Sequence, residues 1–222
     1  MNPQLVITAD GSPTLYIEEW QEHYHSMHGA VQESKHVFLD AGLIPLLEKL
    51  HQVRILEVGL GTGFNALLTL ATILQTEKHV TYHALEPHPI PIDIIEQFTE
   101  KHLLLLGSGA SYFHALHRSP WQRSVDLHRQ FTLTKLQMGV QAYTEKECLD
   151  LVYFDAFSPR VQPDMWVADV FLGLYHALAT NGVLVTYCAK GAVRRTLQEV
   201  GFQVERLPGP PGKREMLRAT KF

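Results

Sequence analysis

Strand-like apolar runs that alternate with helical segments predict an α/β fold for this 222-residue chain, with a mostly parallel sheet covered by helices on both faces. Three observations carry that expectation. The runs "VRILEVG", "VTYHALE", "LDLVYFDAF" and "GVLVTYC" are short and nearly continuous in apolar residues, as strands buried on both faces are. Between them, "GFNALLTLATILQTE", "PIDIIEQFTEKHLLLL" and "KGAVRRTLQEVG" have the length and spacing of helices. At the end of the chain, "FQVERL" and "REMLRAT" flank the Gly/Pro-rich "PGPPGK" and read as an antiparallel hairpin.

Taken in order, residues 1–40 form a polar, aromatic-rich N-terminal extension, and residues 41–222 form the α/β domain. From about residue 35 the apolar positions of "HVFLDAGLIPLLEKL" fall at helical spacing. The first strand, 53–59, runs into the stretch Glu57-Val-Gly-Leu-Gly-Thr-Gly63, and a helix over 63–77 follows. A second strand, 80–86, ends at Glu86-Pro87, and one helix is expected over 91–106. "FTLTKLQMG" alternates like a strand, and 149–157 is a buried strand turning at Ser158-Pro159. A helix over 164–179 ends before Asn181-Gly182; a strand over 182–188 and a helix over 190–201, stopped at Gly201, precede the hairpin.

Composition narrows the function classes. Hydrophobic residues make up 45% and charged residues 19% of the chain, an ordinary globular balance. No run of about 18 apolar residues suggests a membrane span. The N-terminus lacks the basic-then-apolar pattern of a secretory signal, so a cytoplasmic protein is expected. Cys148 and Cys188 have no metal-type spacing, and the clusters His23, His25, His28 and His79, His83, His88 contain no HExxH, so no metal is expected and the histidines read as surface or lid residues. Net charge is −4, but it is unevenly placed. From Lys190 onward eight basic residues face three acidic ones, a net +5 that leaves −9 for residues 1–189. A molecule polarised in this way can bind a polyanion with one face; a solvated helix and basic tail is the plainer alternative.

In a doubly wound sheet the ligand lies at the carboxyl ends of the strands near the switch point, which puts the glycine stretch at the site. Dinucleotide pockets use GxGxxG, whose last glycine lets the helix pack closely on the strand. Here the glycines are Gly59, Gly61 and Gly63, and Phe64 occupies the third dinucleotide position. A GxGxG loop with Glu57 ahead of it suits a zwitterionic sulfonium ligand, S-adenosylmethionine (SAM). The glycines would admit its amino-acid portion and ribose to the backbone, and Glu57 would add negative charge beside it. The alternative is a tight turn with no ligand. Glu86, at the next strand end, can accept hydrogen bonds from both ribose hydroxyls; a solvated strand-end glutamate is its plainer reading. The third strand end, "KLQMGVQAY", should border adenine. Many methyltransferases carry an acidic residue there, whereas this chain has Gly139 and Val140, so backbone and apolar contact must hold the base.

Asp155 ends a buried strand and should point into the same crevice. It would face the transferred methyl group, bordering the cofactor, and the nucleophile. An alkylammonium has no lone pair, so a carboxylate that holds an amine and helps remove its proton serves the chemistry. Capping the turn that follows is the structural alternative.

Four segments in order, "YHSMHGAVQESKHVFL", "EVGLGTGFN", "DAFSPRVQPDMW" and "RRTLQEVGF" with "GPPGKREML", resemble the methyltransferase domain of the bacterial tRNA wobble-uridine modifying MnmC family, most of all its stand-alone form, MnmD. The resemblance runs from about Tyr24 to Met216. It implies a class I SAM-dependent methyltransferase with a Rossmann-like sheet, converting 5-aminomethyl-(2-thio)uridine in the tRNA anticodon stem-loop to the 5-methylaminomethyl product. In MnmC this domain is fused to a flavin-dependent oxidoreductase; with no GxGxxG here, methylation alone is implied. The resemblance places Tyr24, Ser26 and Glu33 in a segment folded as a lid over the SAM site. It places Lys213 and Arg214 near the entrance, where they could meet anticodon phosphates. Phe157 and Trp166 are candidates to stack on the extruded base, although Trp166 begins an apolar helix and core packing is favoured for it. "RVQ" after the Ser-Pro step departs from the family's basic/Asn pattern. Rival readings are a methyltransferase for another amine or RNA, an aminopropyltransferase on a similar sheet, and a catalytically silent RNA-binding module.

Overall fold

The computed structural model describes residues 3–222 and gives the backbone but not the side-chain surroundings of Glu100 and Lys101. The first two residues of the expected extension therefore lie outside the described residues. Eleven strands follow in chain order among the described residues: β1 Gln4–Ile7, β2 Pro13–Ile17, β3 Glu22–His23, β4 Gln52–Val58, β5 His79–Leu85, β6 Ser124–His128, β7 Phe131–Leu136, β8 Leu149–Phe154, β9 Leu178–Thr186, β10 Gln203–Pro208 and β11 Glu215–Thr220.

The last eight strands form one sheet in the order β10-β11-β9-β8-β4-β5-β7-β6. Strands β7, β5, β4, β8 and β9 are parallel, and β6, β11 and β10 add antiparallel edges. The chain moves outward from β4 to β5 and then reverses to β8 on the other side. The switch point lies at β4, where the glycine loop begins, as the doubly wound reading requires.

Two apolar clusters fill the two faces. One packs the helical path of residues 30–47 and the helix Phe64–Ile73 on the sheet through Phe38, Leu43, Leu67, Leu70 and Tyr82. The other packs the helices Ala168–Ala177 and Gly191–Glu199 through Val170, Phe171, Val193 and Leu197. Burial on both faces explains why the central strands read as continuous apolar runs.

The extension folds as a small antiparallel sheet of β1, β2 and β3. Several other elements depart from expectation. After β3 the chain enters a helical path of three consecutive segments over residues 30–47, which crosses the expected boundary at residue 40 without a break. The helix expected over 91–106 is split. A first piece, Ile92–Ile95, ends before Thr99, which opens a new helical turn by a capping box with His102. Gly107, at φ +58, then kinks the path before the helix Phe113–Arg118. The helix expected over 164–179 shortens to Ala168–Ala177, because Leu178 turns extended and enters β9 directly. Strand β6 had no sequence signal; it exists because it pairs with the edge of β7.

Candidate active site

At the carboxyl end of the parallel strands lies a cavity of about 640 Å³. One wall is built by the sheet: Val58, Gly59, Leu60 and Gly61 after β4, Leu85 and Glu86 after β5, Met138, Gly139 and Val140 after β7, and Asp155 and Phe157 after β8. The opposite wall is a cover contributed by Trp20, Glu22, Tyr24, His25, Ser26 and Glu33, with Tyr187 and Lys213 closing one side.

The sheet wall is fixed by close backbone approach. Gly59 sits at φ +92, and a Cβ there would stand 2.8 Å from the Asp155 carbonyl oxygen. Only glycine lets the loop lie against the end of β8. The Asp155 N–H in turn donates to the Val58 carbonyl at 3.1 Å. The Gly61 N–H donates to Glu86 Oε2 at 3.1 Å and the His88 N–H to Glu86 Oε1 at 2.9 Å, so the loop holds the carboxylate in place. A Cβ on Gly61 would come within 3.1 Å of the Tyr24 ring, which seats the cover on the loop.

Two residues expected at the cofactor stand elsewhere. Glu57 is completely buried and does not line the cavity. Strand alternation points it, like Ile55, to the face beneath the helix Phe64–Ile73, and the cavity begins one residue later at Val58. Burial pushes its carboxyl well above the ordinary range, so it supplies no exposed negative charge. Gly63 also lies off the cavity; its lack of a side chain serves packing, since a Cβ would meet Leu116 at 2.9 Å.

Asp155 faces the cavity and accepts a hydrogen bond from Asn65 Nδ2 at 2.8 Å. Burial is the main cause that raises its carboxyl from 3.8 to about 7; the nearby Glu33 charge raises it further, while Asn65 and Lys213 pull it down. Glu33 accepts from the Ser26 N–H at 2.8 Å and from Lys213 Nζ. Lys213 Nζ also lies 3.8 Å from the centre of the Tyr187 ring. Lys213 therefore faces inward and pairs with a buried carboxylate, in place of the phosphate contact expected of it. Its neighbour Arg214 is exposed and off the cavity.

The mouth is aromatic. Phe157 packs edge-on to Trp20 at 5.2 Å and to Tyr24 at 5.0 Å. Burial, with Glu86 nearby, raises the Tyr24 hydroxyl to about 12, so it stays a neutral donor. Trp166 is a core residue, buried among Phe154 and Phe171, with its Nε1–H donated to the Phe157 carbonyl at 2.8 Å. It braces Phe157 and leaves the base-stacking role to others. Glu22 ties the cover to the loop after β8, accepting from Ser158 Oγ at 2.9 Å and from Arg160 Nη2 at 2.6 Å.

Sequence reasoning missed Asn65, Glu22, His25 and Tyr187. His25 reads as a surface or lid histidine from the sequence; it stands half-buried in the cover. Its Nδ1 lies 3.0 Å from Thr14 Oγ1, its Nε2 lies 3.3 Å from Thr62 Oγ1, and it stacks on Phe64. Burial lowers its pKa to about 4, so it pins the cover to the glycine loop as a neutral ring. Asn65 carried a usable signal, since a polar side chain in the first turn of a buried helix beside a ligand loop needs a partner. Among the described residues no group of three or more His, Cys, Asp or Glu is arranged to hold a metal.

The fold matches a known class. A family model described as S-adenosyl-L-methionine-dependent methyltransferase matches residues 112–222. The chain belongs to that family, and SAM is its cofactor. It is 31% identical, over 97% of its length, to the tRNA 5-methylaminomethyl-2-thiouridine biosynthesis bifunctional protein MnmC of Cupriavidus necator, and it covers 34% of that protein. The chain thus spans about a third of the length of the curated relatives it matches. Among solved structures it resembles MnmC2 from Aquifex aeolicus at 26% identity and a TM-score of 0.77, covering 98% of this chain and 70% of that one. A likeness to spermidine synthase from Thermotoga maritima, at 12% identity and a TM-score of 0.59 over 99% of this chain and 68% of that one, shows a shared fold alone.

The residues present fit SAM. The Glu86 carboxylate is oriented by two backbone N–H groups at the edge of the cavity. The loop presents backbone without Cβ atoms at Gly59 and Gly61. Leu85, Met138 and Val140 offer apolar contact for a base, with no acidic side chain among them.

Proposed function

We propose that this chain N-methylates the primary amine of 5-aminomethyl-(2-thio)uridine at the wobble position of tRNA, as a cytoplasmic enzyme. The single observation that carries the reading is Asp155, a carboxyl near pKa 7 inside a cavity bounded by the cofactor loop. The names of relatives that align with nearly the whole chain support the choice of substrate.

When bound, SAM supplies an electrophilic methyl group, whose C–S bond electrons pass to sulfur as the amine nitrogen forms the new N–C bond. The residues of the chain do the rest. The ionised Asp155 accepts a proton from the incoming alkylammonium and frees its lone pair. Glu33, held by Lys213 and the Ser26 N–H, stands near Asp155 as half of an ion pair, and the two charges pull the Asp155 carboxyl in opposite directions. Tyr24, Trp20 and Phe157 give the extruded base an apolar face to pack on. The cover would shield the bound groups from water, and the two walls would orient the amine toward the methyl group. Arg214, exposed and next in sequence to Lys213, is the residue for a phosphate contact.

The test is incubation with labelled SAM and tRNA from cells that lack the modification, followed by nucleoside analysis. Label is expected in 5-methylaminomethyl-(2-thio)uridine; label in another nucleoside overturns the substrate assignment.

A further inference from the structure

Beneath the glycine loop lies a buried polar cluster that the reaction above does not use. Both Glu57 carboxyl oxygens, Asn65 Oδ1 and the Tyr82 hydroxyl are buried without a hydrogen-bond partner within ordinary distance. These groups lie together: Asn65 and Tyr82 flank the Glu57 carboxyl, and in the sheet Glu57 stands beside Tyr153 of β8 and Ala84 of β5. Tyr153 is occupied elsewhere, its hydroxyl 3.2 Å from Thr69 Oγ1. Asn65 bridges the cluster to the site, because its Nδ2 donates to Asp155 Oδ2.

Counting donors decides the state of the cluster. An ionised Glu57 only accepts. The free donors beside it are the Tyr82 O–H and the second N–H of Asn65, and with both directed at Glu57 the Asn65 Oδ1 is left with none. A full charge would also be buried with no cation against it and with Asp155 nearby, which is a costly arrangement. A neutral acid adds the missing O–H donor and removes the charge.

We infer that Glu57 stands as a neutral carboxylic acid whose hydrogen bonds with Tyr82 and Asn65 hold the Asn65 amide against Asp155, making Glu57 and Asn65 positioning residues for the transfer. An amide without such an anchor can rotate and turn its oxygen toward Asp155, which repels the ionised form. Burial and the nearby Asp155 charge push the Glu57 carboxyl in the same direction. Glu57 thus acts through Asn65 from behind the cofactor wall, and a negative charge on it has no part in SAM recognition.

The kinetic arm of the test rests on the methylation reading, and the spectroscopic arm does not. Infrared difference spectra of substrate-free wild type against Glu57→Gln at neutral pH should show the carbonyl band of a protonated carboxylic acid, assigned to Glu57. Its absence overturns the inference. In kinetics, Glu57→Leu should lower kcat roughly 10- to 100-fold with SAM affinity within about two-fold. It should also move the acid limb of the pH–rate profile upward, because Asp155 loses a bond that favours its ionised form. Glu57→Gln keeps a neutral donor and acceptor and should recover most of that loss. If Glu57→Gln is as damaging as Glu57→Leu, or weakens SAM binding about ten-fold, the charge itself is what the protein needs and the inference fails. If the wild type transfers no methyl group to tRNA, the functional reading fails while the infrared result still decides the state of Glu57.

Discussion

The two walls of the cavity are built on different principles. The sheet wall is made of consecutive strand ends, and its parts are locked by backbone: Gly59 against the Asp155 carbonyl, Asp155 N–H on Val58, Gly61 N–H on Glu86. The cover is held by side chains reaching across the sequence: Lys213 to Glu33, Ser158 and Arg160 to Glu22, His25 to Thr62. Backbone locks set where the groups stand, and side-chain links set their charge and how easily the wall lifts. The sheet wall should therefore govern cofactor binding and chemistry, and the cover should govern proton balance and acceptor entry.

The comparison breaks most sharply at Asp155. Asp155→Asn should cut turnover roughly 10²- to 10⁴-fold, read by single-turnover methyl transfer, with SAM affinity nearly unchanged. The same change should raise Tm by a few degrees in the absence of substrate. The sign follows from the raised carboxyl: between pH 3.8 and about 7 the native state binds more protons than the unfolded one, so stability falls as pH rises through that window, and the amide removes that loss. Next in size, Glu86→Ala should weaken SAM roughly 10- to 100-fold by calorimetry, with kcat at saturation preserved. If kcat falls with it, the sheet wall does not divide binding from chemistry as described.

The cover is sharpened by a pair of opposite changes. Lys213→Met removes a cation that lowers the Asp155 carboxyl, so the acid limb of the pH–rate profile should move up by about half a unit to one unit. Glu33→Gln removes a charge that raises it, so the limb should move down. Shifts of the same sign would mean that the cover acts by shape alone. The smallest effect is expected at Glu22. Its partner Arg160 is more than half exposed, so Glu22→Ala should cost less than about 1 kcal/mol in denaturant unfolding while raising KM for the acceptor.

The same contrast explains what the sequence could and could not reveal. Gly59, Glu86 and Asp155 were legible because each ends a buried apolar run, and strand ends converge in a doubly wound sheet. Glu57 was misplaced by one step of strand alternation, which only the cavity's edge at Val58 resolves. The inward turn of Lys213 depends on Glu33, 180 residues away, and no local pattern announces it. The split after Ile95 follows from a Thr99 cap and a kinked Gly107 inside a run whose apolar spacing alone reads as one helix.

The contact at Gly59 has a consequence for how such a protein can change. Because the cofactor loop and the carbonyl of Asp155 touch without room for a methyl group, neither can drift without dragging the other. Sequence change at this edge is coupled, and new acceptors are closed off from that side. Variation in what is methylated must enter through residues 20–33, whose side-chain links can be exchanged one at a time, and a library aimed at altered acceptors belongs there.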